Sequence, residues 1–285
     1  MCATRSRTEY PDPQFAAALE RSAVAAAALA GEQLCQALID EPVVEFKRAR
    51  SGAAANSNPV SAVDRRVERL VRDRLTAQYP AHAVLGEELE TQGPVEAEFV
   101  WAIDPLDGTA NYINGLPLFA SSVGVLFRGR PVAGAIWCSV THVLRPGIYH
   151  ARVGGELCLD GHACPRRAHG SWRGIAAEPG WAPAYGALWD TRVIASAALE
   201  LALVAAGVLS FAHLSRPSIW DVAAGMVLLA AANYRAVALR KTGPETLLYF
   251  ANPDTVSLAE LGRWSEPLMI GDDVSLARAF AQRGA

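Results

Sequence analysis

No C-x-x-C pair occurs in this 285-residue chain, and its five cysteines (Cys2, Cys35, Cys138, Cys158 and Cys164) are odd in number. A disulfide framework is therefore not expected, and a reducing, cytoplasmic compartment is. Cys158, His162 and Cys164 lie close together, but Asp160-Gly161 between them reads as a hairpin turn and no fourth ligand is evident. Zinc is not expected there. Positive charge is short as well: 26 Lys and Arg stand against 29 Asp and Glu, a net charge of −3. With a pI near 6.1 the chain has no general attraction for nucleic acid or anionic lipid, so an anionic ligand must be held by local features. Long apolar runs are missing too. The Ala-rich stretch 15–38 is broken by Glu20, Arg21 and Glu32, unlike the apolar segment of a signal peptide, and reads as an amphipathic helix. The stretch 194–211 carries Glu200, with alanine and glycine where a membrane span carries leucine, so a buried helix is the better reading. No internal repeat or low-complexity linker divides the sequence.

What is present is apolar bulk. At 51% hydrophobic, the chain can bury a sizeable core as one large domain or two intimate halves. Residues 43–58 read as a polar connector containing Lys47, Arg48 and Arg50, a solvated loop in preference to a phosphate-binding one. Val63, Val67, Leu70, Val71, Leu75 and Tyr79 recur at helical spacing. The arginines at 65, 66, 69, 72 and 74, interleaved with Glu68 and Asp73, are expected on the solvated face of that helix. Residues 121–127 and 131–138 flank Arg128-Gly129-Arg130 as a hairpin, and 148–151 and 156–159 flank Gly154-Gly155 as another. Helices return around Leu199–Val204 and from 222 to 233. This order implies a layered α+β body, not a parallel βαβ array.

Asp104-Pro105-Leu106-Asp107-Gly108-Thr109 follows the apolar run 99–103 and so stands where a buried strand ends. Two carboxylates three residues apart, constrained by a proline and released by a glycine, can face one small volume. Crowded carboxylates repel, and a divalent cation relieves them. An ordinary turn is the competing reading, since Asp-Pro and Asp-Gly are both turn dipeptides. The longer stretch through Ala110-Asn111-Tyr112 resembles the D-P-[IL]-D-G-T-x-N-[FY] signature of the inositol monophosphatase-like family of metal-dependent, lithium-sensitive phosphatases. Val60-Ser61-Ala62-Val63-Asp64, Gly86-Glu87-Glu88 and Trp220-Asp221-Val222-Ala223-Ala224-Gly225 are similar to three further family motifs, in the family's order.

The resemblance implies a five-layer αβαβα sandwich of the inositol monophosphatase/fructose bisphosphatase type. It would divide into an N-terminal half, 1–145, with most metal ligands, and a C-terminal half, 146–285, that completes the site with Asp221. It implies that Glu87, Asp104 and the Leu106 carbonyl hold one Mg²⁺, and that Asp104, Asp107 and Asp221 hold a second. A third, weaker ion near Glu87 is a family feature. Gly108 and Thr109 are expected to bind the substrate phosphate, with Asp221 also contacting substrate. By the same resemblance Asp64, Thr109 and Glu87 would form the catalytic set, Asp64 and Thr109 orienting the attacking water. Asp64 also fits a capping-box pattern with Ser61, and Asp221 would suit a helix N-terminus without any metal. Glu88 is expected to support the site without binding metal.

Several positions depart from the family. Ala110 and Ala195-Ser196-Ala197 replace common family residues without removing a ligand, and Leu214 stands where inositol phosphatases commonly carry an acid that contacts a substrate hydroxyl. Segment 164–192, with Trp172, Trp181 and Trp189, reads poorly as the usual strand and helix. Its tryptophans suit packing better than stacking on a base. The expected function is a Mg²⁺-dependent phosphomonoesterase that uses a metal-activated water on a small phosphorylated polyol, inositol or sugar. The alternatives are a 3′(2′),5′-bisphosphate nucleotidase or histidinol-phosphate phosphatase, and a non-catalytic regulatory or RNA-associated family member. By resemblance the protein is expected to form a homodimer.

Overall fold

The computed structural model describes residues 10–38, 44–46, 59–164, 174–178, 185 and 188–283. Lys47, Arg48, Arg50, Trp172 and Trp181 lie outside them. Helix α1 (Pro13–Ala37) starts where Asp12 accepts from the amides of Gln14 at 2.9 Å and Phe15 at 3.2 Å, with proline at the first helical position. Then come β1 (Val44–Phe46), β2 (Pro59–Ser61), α2 (Ala62–Gln78), β3 (Ala83–Gly86), β4 (Phe99–Asp107) and α3 (Thr109–Ile113). Strands β5 (Ala120–Phe127), β6 (Arg130–Cys138), β7 (Gly147–Arg152), β8 (Cys158–Leu159) and β9 (His162–Ala163) follow. The remainder is β10 (Ile175–Ala177), β11 (Asp190–Arg192), α4 (Ala197–Ala205), β12 (Phe211–Leu214), α5 (Ile219–Ala231), β13 (Arg235–Arg240), β14 (Gly243–Thr246), α6 (Leu258–Leu261), β15 (Leu268–Gly271) and α7 (Asp273–Arg283).

Strands β3 to β9 form a seven-stranded sheet in sequence order, antiparallel except for the β3–β4 pair. Period-two alternation assigns its two faces. Trp101, Ile103, Val123 and Val125 pack with α1 and α2, while Val100, Ala102, Leu126 and Ile136 pack with α4 and α5. The six-stranded second sheet, β11-β10-β12-β15-β13-β14, covers the other side of α4 and α5, and α7 closes its far face through Leu276 and Ala279. The layers run αβαβα, as expected. The division expected after residue 145 is not where the sheets part, because β7, β8 and β9 continue the first sheet to Ala163. They pair as consecutive neighbours of β6, and the hairpin expected from 148–151 and 156–159 is the pairing of β7 with β8.

Helix α5 rests on the first sheet at backbone contact. A Cβ at Gly124 would lie 2.6 Å from the Ala224 nitrogen, and one at Gly134 would lie 2.6 Å from the Ala224 Cα. The two glycines on neighbouring strands therefore fix how closely the helix approaches. Trp189 stacks on Phe211 with centroids 4.9 Å apart, a packing role as expected. Among the described residues no helix is long and apolar enough to cross a membrane.

The solvated-face expectation fails for two residues of α2. Glu68 and Arg72 are fully buried, paired with each other at i,i+4, with Arg72 Nη2 2.6 Å from Glu68 Oε1. Each lies next to the Val67–Val71–Leu75 stripe, and the pair faces the loop after β3 instead of solvent. Arg66, Arg69 and Arg74 are exposed, as expected.

His82 sits among aromatics, stacked against Tyr79 and Phe99, and its Nδ1 accepts from Trp101 Nε1 at 3.1 Å. Burial lowers its pKa from 6.5 to about 4. The unfolded chain takes up this proton below pH 6.5 and the folded chain does not, so the contribution to stability is lost as pH falls from 6.5 through about 4. Urea midpoints of the wild type should fall across that window. His82→Gln, which keeps an acceptor for Trp101, should give a flatter profile; parallel profiles would show that other groups govern the loss.

Candidate active site

Strand β4 keeps register with β5 from Phe99 opposite Phe127 to Asp104 opposite Ser122, then shifts before Asp107 opposite Ala120. Two residues of β4 stand there against one of β5, a bulge that accommodates Pro105, which has no N–H for the ladder. Residues 104 and 107 would face opposite sides of a regular strand. With the extra residue, the two carboxylates come close enough that each feels the acids around it. Asp104 is buried; its Oδ1 accepts from the Leu106 amide at 2.9 Å, and its carbonyl accepts from Ser121 Oγ at 3.1 Å.

Two other elements bring acids to the same place. Glu87 follows β3, which lies parallel to β4, and Asp221 is the third residue of α5. Glu87, Asp104 and Asp221 each present an oxygen within 4.8 Å of the others. Asp221 also completes a capping box with Ser218, accepting from its amide at 2.7 Å, so its helix-terminal and site positions coexist. Ser122 Oγ donates to the Trp220 carbonyl at 3.0 Å and ties the start of α5 to β5.

Asp107 is held differently. Its Oδ2 accepts from Ser196 Oγ at 2.6 Å and from the Ala198 amide at 2.7 Å, at the start of α4. Burial raises its pKa to about 6 against the opposing pull of these donors. Asp104 and Asp221 are pushed well above the ordinary carboxylate range, first by burial and then by neighbouring acids, Glu87 and Asp107 among them. Such a set is costly without a cation, and its all-oxygen donors suit a hard divalent ion, so the residues present fit Mg²⁺.

Gly108 has φ 90° and precedes α3, whose first residue is Thr109. Thr109 Oγ1 lies 3.0 Å from the Leu106 carbonyl and 3.4 Å from Asp64 Oδ1, and Asp64 is buried on α2. Glu88 donates its amide to Glu68. Leu214 is buried at the end of β12 opposite Leu268 and belongs to the core between the sheets. Cavities of about 690 and 670 Å³ lie elsewhere, lined by residues such as Arg130 and Tyr234 or Arg240 and Trp264. The chemistry of the carboxylate group outweighs their size. The only group of three or more potential metal ligands among the described residues is the one above; Cys158, His162 and Cys164 do not form one.

Sequence reasoning missed four contributors. Asn111 Nδ2 donates to the carbonyls of Leu118 at 2.7 Å and Ile194 at 2.8 Å, tying α3 to the segment before α4. Ser196 reaches Asp107, and buried Glu200, whose pKa burial and Asp107 push up to about 8, accepts from the Ala195 and Ser196 backbone. A glutamate inside the apolar stretch 194–211 was its visible signal. For Glu68 the signal was a carboxylate beside an apolar helical stripe, four residues before an arginine.

The description "inositol monophosphatase family" fits residues 17–261 of the chain. It is 34% identical over 209 residues to an inositol-1-monophosphatase of Mycobacterium leprae, covering 66% of this chain and 71% of that one. It is 32% identical over 218 residues to an inositol-1-monophosphatase of Bacillus subtilis, covering 70% and 77%. Among solved structures, inositol monophosphatase from Anabaena superposes with a TM-score of 0.69 at 25% identity over 93% of this chain and 96% of that one. The extragenic suppressor protein suhB from Bartonella henselae gives 0.72 at 24%, over 93% and 98%, a likeness of fold. The chain thus belongs to the inositol monophosphatase family, whose members are phosphatases that hydrolyse phosphate monoesters.

Proposed function

We propose that the protein is a Mg²⁺-dependent phosphomonoesterase acting on a small phosphorylated polyol or sugar. The observation that carries this reading is the convergence of Glu87, Asp104 and Asp221 within 4.8 Å in a setting that raises the pKa of the two aspartates. Glu87, Asp104 and the Leu106 carbonyl would hold one ion, and Asp104, Asp107 and Asp221 a second. When bound, Mg²⁺ would neutralise charge on the transferring phosphoryl group and acidify the attacking water.

The chain's own residues orient the reaction. Gly108 and Thr109 would offer backbone amides to phosphate oxygens. Thr109 has a single hydroxyl proton, nearest to the Leu106 carbonyl; with that carbonyl engaged elsewhere, Asp64 is the remaining acceptor within 3.4 Å. Thr109 would then accept from the attacking water while Asp64 draws on its proton. Ser196 and the Ala198 amide keep Asp107 turned toward α4.

Phosphate release measured with and without Mg²⁺, across sugar, inositol and histidinol phosphates and adenosine bisphosphate, tests the reading. Release from a polyol or sugar phosphate that stops with EDTA and returns with Mg²⁺ supports it; metal-independent release, or none from any ester, sinks it. Leu214, where an acid was expected to contact a substrate hydroxyl, is buried in the core between the sheets. Leu214→Glu should therefore lower the melting temperature without raising the kcat/KM for myo-inositol 1-phosphate relative to a less hydroxylated ester. A raised ratio at unchanged melting temperature would return this position to the leaving-group side of the site.

A further inference from the structure

The buried Glu68–Arg72 pair grips the backbone on both sides of Glu87. Glu68 Oε2 accepts from the Glu88 amide at 2.7 Å, and Glu68 Oε1 accepts from the Leu89 amide at 3.2 Å. Arg72 donates Nε to Glu68 Oε1 at 2.7 Å, Nη1 to the Glu90 carbonyl at 2.9 Å and Val84 carbonyl at 3.4 Å, and Nη2 to the Leu89 carbonyl at 3.0 Å. Residues 87–90 have no helix or strand of their own, so these side chains supply the bonds that a ladder would supply. Gly86 is part of the same fit, since a Cβ there would lie 2.2 Å from Glu68 Oε1 and 2.9 Å from Arg72 Nη2. The glycine is needed for close approach of loop to carboxylate, its φ not being positive.

We propose that Glu68 and Arg72 are positioning residues that preset the Glu87 carboxylate for metal, with Gly86 as the glycine that admits them. The proposal rests on the reading of Glu87 as a metal ligand. A charged pair buried on a helix costs desolvation that an apolar pair would not, so its use here needs a reason beyond stability. The reason is in its partners: four of the six bonds above run to the backbone of residues 88–90, immediately after Glu87. Without the pair, the loop would have to be ordered by the metal itself, and affinity would fall by that ordering cost.

The test uses the full chain and two routes to the same loop. Gly86→Ala displaces the glutamate while leaving both charges in place, and Glu68→Gln with Arg72→Met removes both charges together, avoiding a lone buried one. Mn²⁺ binding is followed by electron paramagnetic resonance without substrate, beside the Mg²⁺ dependence of phosphate release and the melting temperature of the metal-free protein. The expected result is a metal dissociation constant and half-saturating Mg²⁺ raised about tenfold or more in both variants, with kcat at saturating Mg²⁺ within about threefold of wild type. A lower melting temperature with unchanged metal affinity would overturn the proposal and leave the pair a structural one. Wild-type protein that binds no Mn²⁺ would overturn the metal reading itself and this proposal with it, whereas normal binding by wild type and variants alike would overturn this proposal alone.

Discussion

Asp104→Asn should abolish phosphate release, lowering kcat by about a thousandfold or more, because this carboxylate stands at the bulge of β4 against both Glu87 and Asp221. An amide keeps the shape and one acceptor oxygen but not the charge. The fold should survive, and without metal it should gain stability, since a buried acid crowded by other acids is replaced by a neutral group. Metal should separate the two proteins in the other direction. Ligands that bind the folded state alone raise its melting temperature by mass action, so Mg²⁺ should stabilise the wild type and do little for the variant. Calorimetry and a phosphate assay on the same preparations read both effects. Near wild-type turnover, or equal stabilisation by Mg²⁺, would remove Asp104 from the centre of the site.

The second large effect belongs to Asp64 and Thr109. Thr109→Ala and Asp64→Asn should each lower kcat by about a hundredfold or more, and the double variant should be no worse than the more damaged single one. The reason is the chain of contacts from Asp64 Oδ1 to Thr109 Oγ1 at 3.4 Å, in which the hydroxyl has one proton to give. Groups that act on one proton fail as a unit, so their free-energy losses do not add. Half-saturating Mg²⁺ should stay near the wild-type value in all three, which distinguishes these variants from Asp104→Asn. Multiplicative losses would mean two independent roles, with Asp64 acting mainly at the start of α2.

Local pattern carried much of this architecture. Trp101 and Ile103 alternate with Val100 and Ala102, which marks a strand buried on both faces, and the stripe of Val67, Val71 and Leu75 marks one face of a helix. The hairpin from β5 to β6 was visible in its Arg128-Gly129 turn, where both residues have positive φ. The acids at 87, 104 and 221 were visible through motif resemblance, not periodicity. What local pattern did not carry were contacts made across the chain. Ser196 meets Asp107, 89 residues earlier, and nothing in either neighbourhood announces the other. Arg72 looked like its exposed neighbours Arg69 and Arg74, because a charged residue beside an apolar stripe is equally compatible with snorkelling outward and with a buried partner. Only the return of the chain after β3 decides between them. The pairing of β7 with β8, by contrast, is local and was legible as a hairpin around Gly154-Gly155.

The backbone contact of α5 with Gly124 and Gly134 has a consequence for motion. Many enzymes that build a site between two lobes admit substrate by hinging the lobes apart, which requires an interface that can part and re-form at little cost. Here the helix that presents Asp221 is seated against two strands of one sheet while its other side packs under the second, through contacts with α4 and β13. The close-packed bed is on the first sheet, which also carries Asp104, so α5 travels with that sheet and the distance between Asp221 and Asp104 is fixed within one rigid layer pair. Any motion of the second sheet would leave these two carboxylates in register.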